Sequence, residues 1–131
     1  QRYARRYQVP MQFNPHFPIN TLTLMRIATG VQMRQPQRFE AYVACVFKAI
    51  WVDALNMGDP VTVARVLTDA GFDAQQLLAL SAESEVKDTL KATTEAAVKR
   101  DVFGAPSMFV GDELFFGQDR LDFVEDALKR G

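Results

Sequence analysis

The feature that most limits what this chain can become is a change of period near residue 102. Up to Arg100 the apolar residues recur at helical spacing, whereas Ser107–Val110 and Leu114–Phe116 are short apolar runs flanking Gly111-Asp112-Glu113. That pattern is a β-hairpin, and a last helix follows Gly117 with Leu121, Val124 and Leu128 on one face. A two-stranded hairpin is marginal by itself in water, so this one requires more sheet or a packed helix.

The helical block is punctuated by local signals. Val9–Phe13 reads as a short extended segment, and Asn14-Pro15-His16-Phe17-Pro18 as a loop stiffened by its prolines. Asn20 reads as the N-cap of a helix with Leu24, Ile27, Ala28 and Val31 in one stripe, ending around Gly30 to Pro36. A second helix runs from about Pro36 toward Asn56. Its stripe is Phe39, Val43, Val46, Phe47, Ile50 and Ala54, and Ala41, Cys45, Ala49 and Val52 make a second apolar face, as expected for a central helix. Asp59-Pro60 reads as an N-cap with Pro at the first helical position, Gly71 as the stop, and Asp73 as the start of a short helix. A longer helix from Ser84 to Arg100 turns Val86, Leu90 and Ala97 inward.

Composition narrows the function classes. With 15 Lys plus Arg against 16 Asp plus Glu, the net charge of -1 supplies no field for nucleic acid or an anionic membrane surface. A 48% hydrophobic content within 131 residues suffices for one core and argues against disorder. One Cys and one His exclude an internal disulfide and a tetrahedral zinc site built from those residues, and no metal is expected. The longest apolar stretch, Ala41–Val52, is broken by Lys48 and is too short to span a bilayer. The expected location is the reducing cytoplasm. Gln1 opens in what reads as mid-helix, with Tyr3, Ala4 and Tyr7 at helical spacing, so an upstream segment is expected.

Helices followed by strand, strand and helix match a thioredoxin-type domain whose leading β-α-β unit is missing and into which a helical domain is inserted. The expected class is therefore α/β, thioredoxin-like, with an inserted all-helical domain. Its parts are a helix end and loop at 1–19, the helical insertion at 20–101, and the strand-strand-helix part at 102–131. The stretch from Val102 to Leu121, VFGAPSMFVGDELFFGQDRL, resembles the C-terminal signature of the 2-hydroxychromene-2-carboxylate isomerases, which group with kappa-class glutathione transferases and DsbA-like oxidoreductases. Supporting it are Gln1–Tyr7 with Val9-Pro10, the Asn14–Leu22 segment, and Ala49-Ile50-Trp51. The resemblance covers essentially the whole chain.

Two readings apply to each candidate site residue. The Ala105-Pro106 turn suits a cis peptide, which would turn the Ala105 backbone outward to pair with an extended peptide, or it is an ordinary proline opening a strand. The resemblance implies the former, with the cysteinyl unit of glutathione as guest. Gly117-Gln118-Asp119 opens the last helix, where unpaired N–H groups favour a carboxylate and Asp119 could take an ammonium, or Asp119 merely complements the helix dipole. The resemblance implies a γ-glutamyl site at Phe116, Gly117, Gln118 and Asp119. Phe17 is a candidate wall of an aromatic-substrate pocket, and is equally explained as core. His16 reads as a surface loop residue, Cys45, Phe47 and Trp51 as packing, and Arg26 and Arg34 as solvated. Asp101 stands where the resemblance more often has a helix-closing glycine.

The resemblance implies a glutathione-dependent isomerase acting on an aromatic-pathway carboxylic acid, 2-hydroxychromene-2-carboxylate, as a homodimer. The implied mechanism is thiolate addition, rotation about the former double bond, and loss of the thiol. The implied thiolate-stabilising serine lies upstream of Gln1, so no catalytic residue is assigned here. Two alternatives stay open. One is a DsbA-like thiol-disulfide oxidoreductase, whose C-x-x-C is not in this chain. The other is a non-catalytic glutathione-binding fragment.

Overall fold

The computed structural model describes residues 2–130. The elements are α1 (Arg2–Arg6), α2 (Leu22–Arg34), α3 (Phe39–Trp51), α4 (Pro60–Asp69), α5 (Ala74–Leu80), α6 (Ser84–Lys99), β1 (Ser107–Val110), β2 (Glu113–Phe116) and α7 (Leu121–Arg130). One-turn 3-10 helices at Pro36–Arg38 and Gln118–Arg120 lead into α3 and α7. The helix expected to run through Gln1 is seen at Arg2–Arg6; Gln1 itself lies outside the described residues. The chain divides into two compact units, Gln1–Leu90 and Lys91–Gly131.

In the first unit, α2, α3, α4 and α5 enclose a core of Ile27, Val31, Tyr42, Val46, Met57, Leu67 and Leu77. The local punctuation explains most boundaries. Asp59 accepts a hydrogen bond from the Thr62 N–H at 2.9 Å, Pro60 follows at the first helical position, and Asp73 accepts from the Gln76 N–H at 2.9 Å. Gly71, at φ 76, closes α4 with Phe72 N–H bonded to the Leu67 carbonyl and Gly71 N–H to that of Thr68, a left-handed cap. Arg38 clamps this corner, donating to the Gly71 carbonyl at 3.0 Å with its guanidinium 3.9 Å from the Phe72 ring centroid.

Several sequence expectations are corrected here. The residue capping α2 is Thr21, and Asn20 instead accepts from the Leu22 N–H at 3.1 Å, a local turn that competes with capping. Gly30 does not end α2; a Cβ there would lie 3.1 Å from Leu80 Cβ, so glycine lets α5 approach inside the helix. The helix expected toward Asn56 stops at Trp51, with Ala54 in a left-handed conformation (φ 53). Phe47 is not core but 61% exposed, whereas Tyr42, absent from both expected stripes, is 2% exposed. The buried face of α3 is Tyr42, Val46, Ala49 and Ile50, a rotation of the helix relative to the expected stripe.

In the second unit β1 and β2 are antiparallel, pairing Ser107 with Phe116 and Val110 with Glu113 around Gly111-Asp112. The second strand therefore begins at Glu113, one residue before the expected Leu114. Leu121 and Leu128 of α7, expected on one face with Val124, are exposed, and Ala127 is the buried residue of the helix. At the end of α6, Asp101 adopts φ 62, with Val102 N–H bonded to the Ala97 carbonyl and Asp101 N–H to that of Val98. That is the glycine-type cap made by an aspartate. Arg100 then sits 3.5 Å above the Phe109 ring centroid, tying the end of α6 to β1.

Candidate functional site

The hairpin corner collects six of the expected site residues. The Ala105-Pro106 peptide is cis. Gly117 N–H donates to the Pro106 carbonyl at 3.0 Å, which sets the turn before β1 beside the residue after β2. Ser107 Oγ donates to the Gly104 carbonyl at 2.6 Å and braces the same turn. Phe116 packs against Phe103 with ring centroids 4.6 Å apart, and a Cβ on Gly104 would lie 2.6 Å from Phe116 Cε2. Only glycine leaves that ring its place.

Ala105 is exposed, and its backbone N–H and C=O have no hydrogen-bond partner among the described residues. An extended peptide-like ligand could pair with both. Gly117 is buried at φ 101 and ψ 147, a region essentially restricted to glycine. Past it, the N–H groups of Gln118 and Asp119 open the helical run without intrahelical acceptors. Asp119 is paired with its neighbour, its Oδ2 accepting from Arg120 at 3.0 Å, both side chains being 41–50% exposed. An incoming ammonium would compete with that guanidinium.

Phe17 lies in the other unit. Asn14, fully buried, donates from Nδ2 to the Ile50 and Leu55 carbonyls at 2.9 Å each and accepts from the His16 N–H at 2.8 Å. This fixes the loop, whose Phe17-Pro18 peptide is also cis, and sets Phe17 6.0 Å from Trp51 between ring centroids. Phe17, Ile19, Met25, Val46, Phe47 and Trp51 help line a cavity of about 270 Å³. Phe17 lines this cavity and is 54% exposed. Asn14 escaped sequence reasoning, which credited the loop's rigidity to its prolines; a buried asparagine carries no local mark of partners 36 and 41 residues away.

The remaining candidates are placed plainly. His16 is exposed. Arg34 bridges Glu83 and Glu85, whose carboxylates hold its guanidinium's pKa above the ordinary value. Cys45 is half-buried and its thiol donates to the Tyr42 carbonyl at 3.1 Å; burial pushes its pKa up, away from the thiolate a nucleophile needs. Among the described residues no group of three or more His, Cys, Asp or Glu could hold a metal ion, and no helix is long and apolar enough to cross a membrane.

With a cis-proline turn abutting the hairpin and a helical block before it, the geometry is that of a thioredoxin-type fold. The chain belongs to the DSBA-like thioredoxin domain family, which matches residues 1–129. The 2-hydroxychromene-2-carboxylate isomerase of Sphingobium xenophagum is 30% identical over 128 residues, covering 98% of this chain and 64% of that protein. Glutathione S-transferase kappa 1 of Homo sapiens is 28% identical over 133 residues, covering 92% of this chain and 59% of that protein. A solved structure of 2-hydroxychromene-2-carboxylate isomerase (HCCA isomerase) superposes with a TM-score of 0.79 at 30% identity, covering 99% of this chain and 62% of that one. The chain spans about three-fifths of the length of these relatives. Its fold is the DsbA-like thioredoxin fold, mostly helical with a small two-stranded sheet.

Proposed function

We propose that the protein is a glutathione-dependent isomerase of the 2-hydroxychromene-2-carboxylate type, a cytoplasmic homodimer serving aromatic-compound breakdown. The similarity to relatives of that name supports the reaction class, and the kappa transferase relatives support glutathione as the thiol. Residues 20–101 then act as the helical insertion, and 102–131 as the end of the thioredoxin-like domain. One observation carries the reading most: the Gly117 N–H bond to the Pro106 carbonyl brings the unpaired Ala105 backbone and the unpaired N–H groups of Gln118 and Asp119 to a single corner.

Ala105, beside Pro106, would pair with the peptide-like middle of glutathione, and Gln118 and Asp119 would hold its γ-glutamyl end. Phe116 and Gly117 shape the floor. Bound there, glutathione supplies a thiol nucleophile that adds to the conjugated substrate and leaves after bond rotation. Phe17 is proposed as a wall for the substrate's aromatic part. The helical N–H groups favour the α-carboxylate, and Asp119 favours the ammonium.

Calorimetric titration of glutathione into wild type and Asp119→Asn tests this, alongside isomerisation of 2-hydroxychromene-2-carboxylate. Asp119 is exposed and already paired with Arg120. The expected loss is therefore screened to about fivefold to tenfold, less than a desolvated charged hydrogen bond would give. Equal affinities, or no binding by wild type, would remove glutathione from the assignment.

A further inference from the structure

We propose that Arg120 sets how strongly the hairpin corner selects ligands that carry an α-ammonium group, by occupying Asp119 until such a group displaces it. The inference rests on the glutathione reading of that corner and deepens it, naming the residue that tunes recognition of the ligand's amino end.

Both oxygens of the Asp119 carboxylate are committed. Its Oδ1 lies over Gly117, where a Cβ would come within 2.6 Å of it, and its Oδ2 accepts from Arg120 at 3.0 Å. The turn holds the two neighbours in register, since the Arg120 N–H donates to the Gly117 carbonyl at 3.2 Å. Among the described residues no other cation bridges to Asp119, and the Arg120 guanidinium makes no other hydrogen bond.

This pair is easily exchanged. Adjacent side chains on a helical run do not face one another, so each must turn toward the other and loses rotamer freedom in doing so. With Arg120 50% and Asp119 41% exposed, water screens what they gain, and a released guanidinium returns to solvent without a desolvation penalty. An arriving ammonium therefore takes the carboxylate at small cost. A ligand without that group leaves Arg120 in place, so Asp119 is not orphaned beneath it. Arg120 thus lowers affinity for the first ligand, spares the second, and narrows the difference between them, which is the specificity.

Glutathione and its des-amino analogue, glutaryl-cysteinylglycine, differ only in that ammonium. Both would be titrated calorimetrically at about 0.15 M salt, which screens distant charges. Arg120→Met keeps much of the apolar stem and removes the charge. It should raise the preference for glutathione over the analogue about twofold to fivefold, the range measured for exposed ion pairs, with the circular dichroism spectrum unchanged. In an Asp119→Asn background the same substitution should leave that preference unchanged. The analogue carries one more net negative charge, so a guanidinium acting only through its field would shift the preference equally in both backgrounds, and that result would overturn the proposal. Weaker binding of both ligands to Arg120→Met would make the guanidinium a partner of the ligand's carboxylate and overturn it too. Glutathione binding with an unshifted preference removes this proposal alone, whereas a wild type that binds no glutathione removes the reading beneath it as well.

Discussion

Asn14 hangs the loop that carries Phe17 from the end of α3, its Nδ2 donating to the Ile50 carbonyl at 2.9 Å from a fully buried position. The same amide reaches the Leu55 carbonyl and accepts from the His16 N–H, so a single side chain satisfies three backbone groups from two segments. Replacing it with Leu keeps the volume and orphans all three. Asn14→Leu should cost about 2–4 kcal/mol, since each unsatisfied buried group costs about 1–3 kcal/mol and some reach water after relaxation. Urea denaturation gives the stability, and Trp51 fluorescence reports whether Phe17 has left its neighbour. A loss below about 1 kcal/mol would show the loop to be held by its prolines instead.

Stability should fall on the alkaline side of neutrality. Burial pushes the Tyr42 phenol well above its ordinary value, and the charge of Cys45 pushes it further the same way. Burial also raises the Cys45 thiol, against a smaller opposing hydrogen bond from the Val46 backbone. Both folded-state pKa values exceed the unfolded ones, so this stabilisation is complete below about pH 8.5, the unfolded thiol value, and is lost as pH rises. The tyrosine share sets in above about pH 10. Urea midpoints from pH 7 to 11 should decline in those two ranges. Cys45→Ala should flatten the first and Tyr42→Phe the second, whatever each does to stability at pH 7.

Local signals made much of this fold legible. Asp59-Pro60, Gly71 and Asp73 each act on backbone within four residues, and the structure uses all of them at the expected positions. The turn at Gly111 was also readable from its glycine, although its two-residue loop is one residue shorter than the expected Gly111-Asp112-Glu113. What could not be read was set at a distance. Phe47 and Tyr42 both fit a helical stripe, and the packing of α2 and α4 against α3, with Tyr42 meeting Leu24 and Phe72, settles which of them is buried. The candidate site divides along the same line. Pro106 and Gly117 stand out as residue types with special backbone needs, whereas the pairing of Asp119 with Arg120 depends on rotamers that no spacing specifies.

Gly117 and Gly111 make a controlled comparison. Both have positive φ, but a Cβ at Gly111 meets nothing within 4 Å, whereas one at Gly117 would lie 2.6 Å from Asp119 Oδ1. Gly111→Ala should cost about 1 kcal/mol, the left-handed penalty alone. Gly117 has φ 101 and ψ 147, so Gly117→Ala should cost about 1–3 kcal/mol and displace Asp119 as well. Hydrogen exchange of the β1 and β2 amides would resolve the two, with Gly117→Ala giving the greater loss of protection. Under the proposed function only Gly117→Ala should also weaken glutathione.

Asp101 offers a substitution that should stabilise the protein. It occupies the left-handed position closing α6, at φ 62, where a side chain costs energy that glycine avoids. Its carboxylate also stands at a helix C-terminus, where the dipole opposes negative charge by about 0.3–1 kcal/mol. The two penalties are separable. Asp101→Asn keeps the backbone tolerance and removes the charge, so it should gain about 0.3–1 kcal/mol. Asp101→Gly removes both penalties and should gain about 1 kcal/mol, reduced by the greater freedom of glycine in the unfolded chain. The gain should appear mainly as slower exchange of the Val102 N–H, which bonds the Ala97 carbonyl across the cap. If salt erases the advantage of Asp101→Asn but leaves most of that of Asp101→Gly, the division between dipole and backbone terms holds. If both variants lose stability, neither penalty operates at Asp101 and the prediction fails.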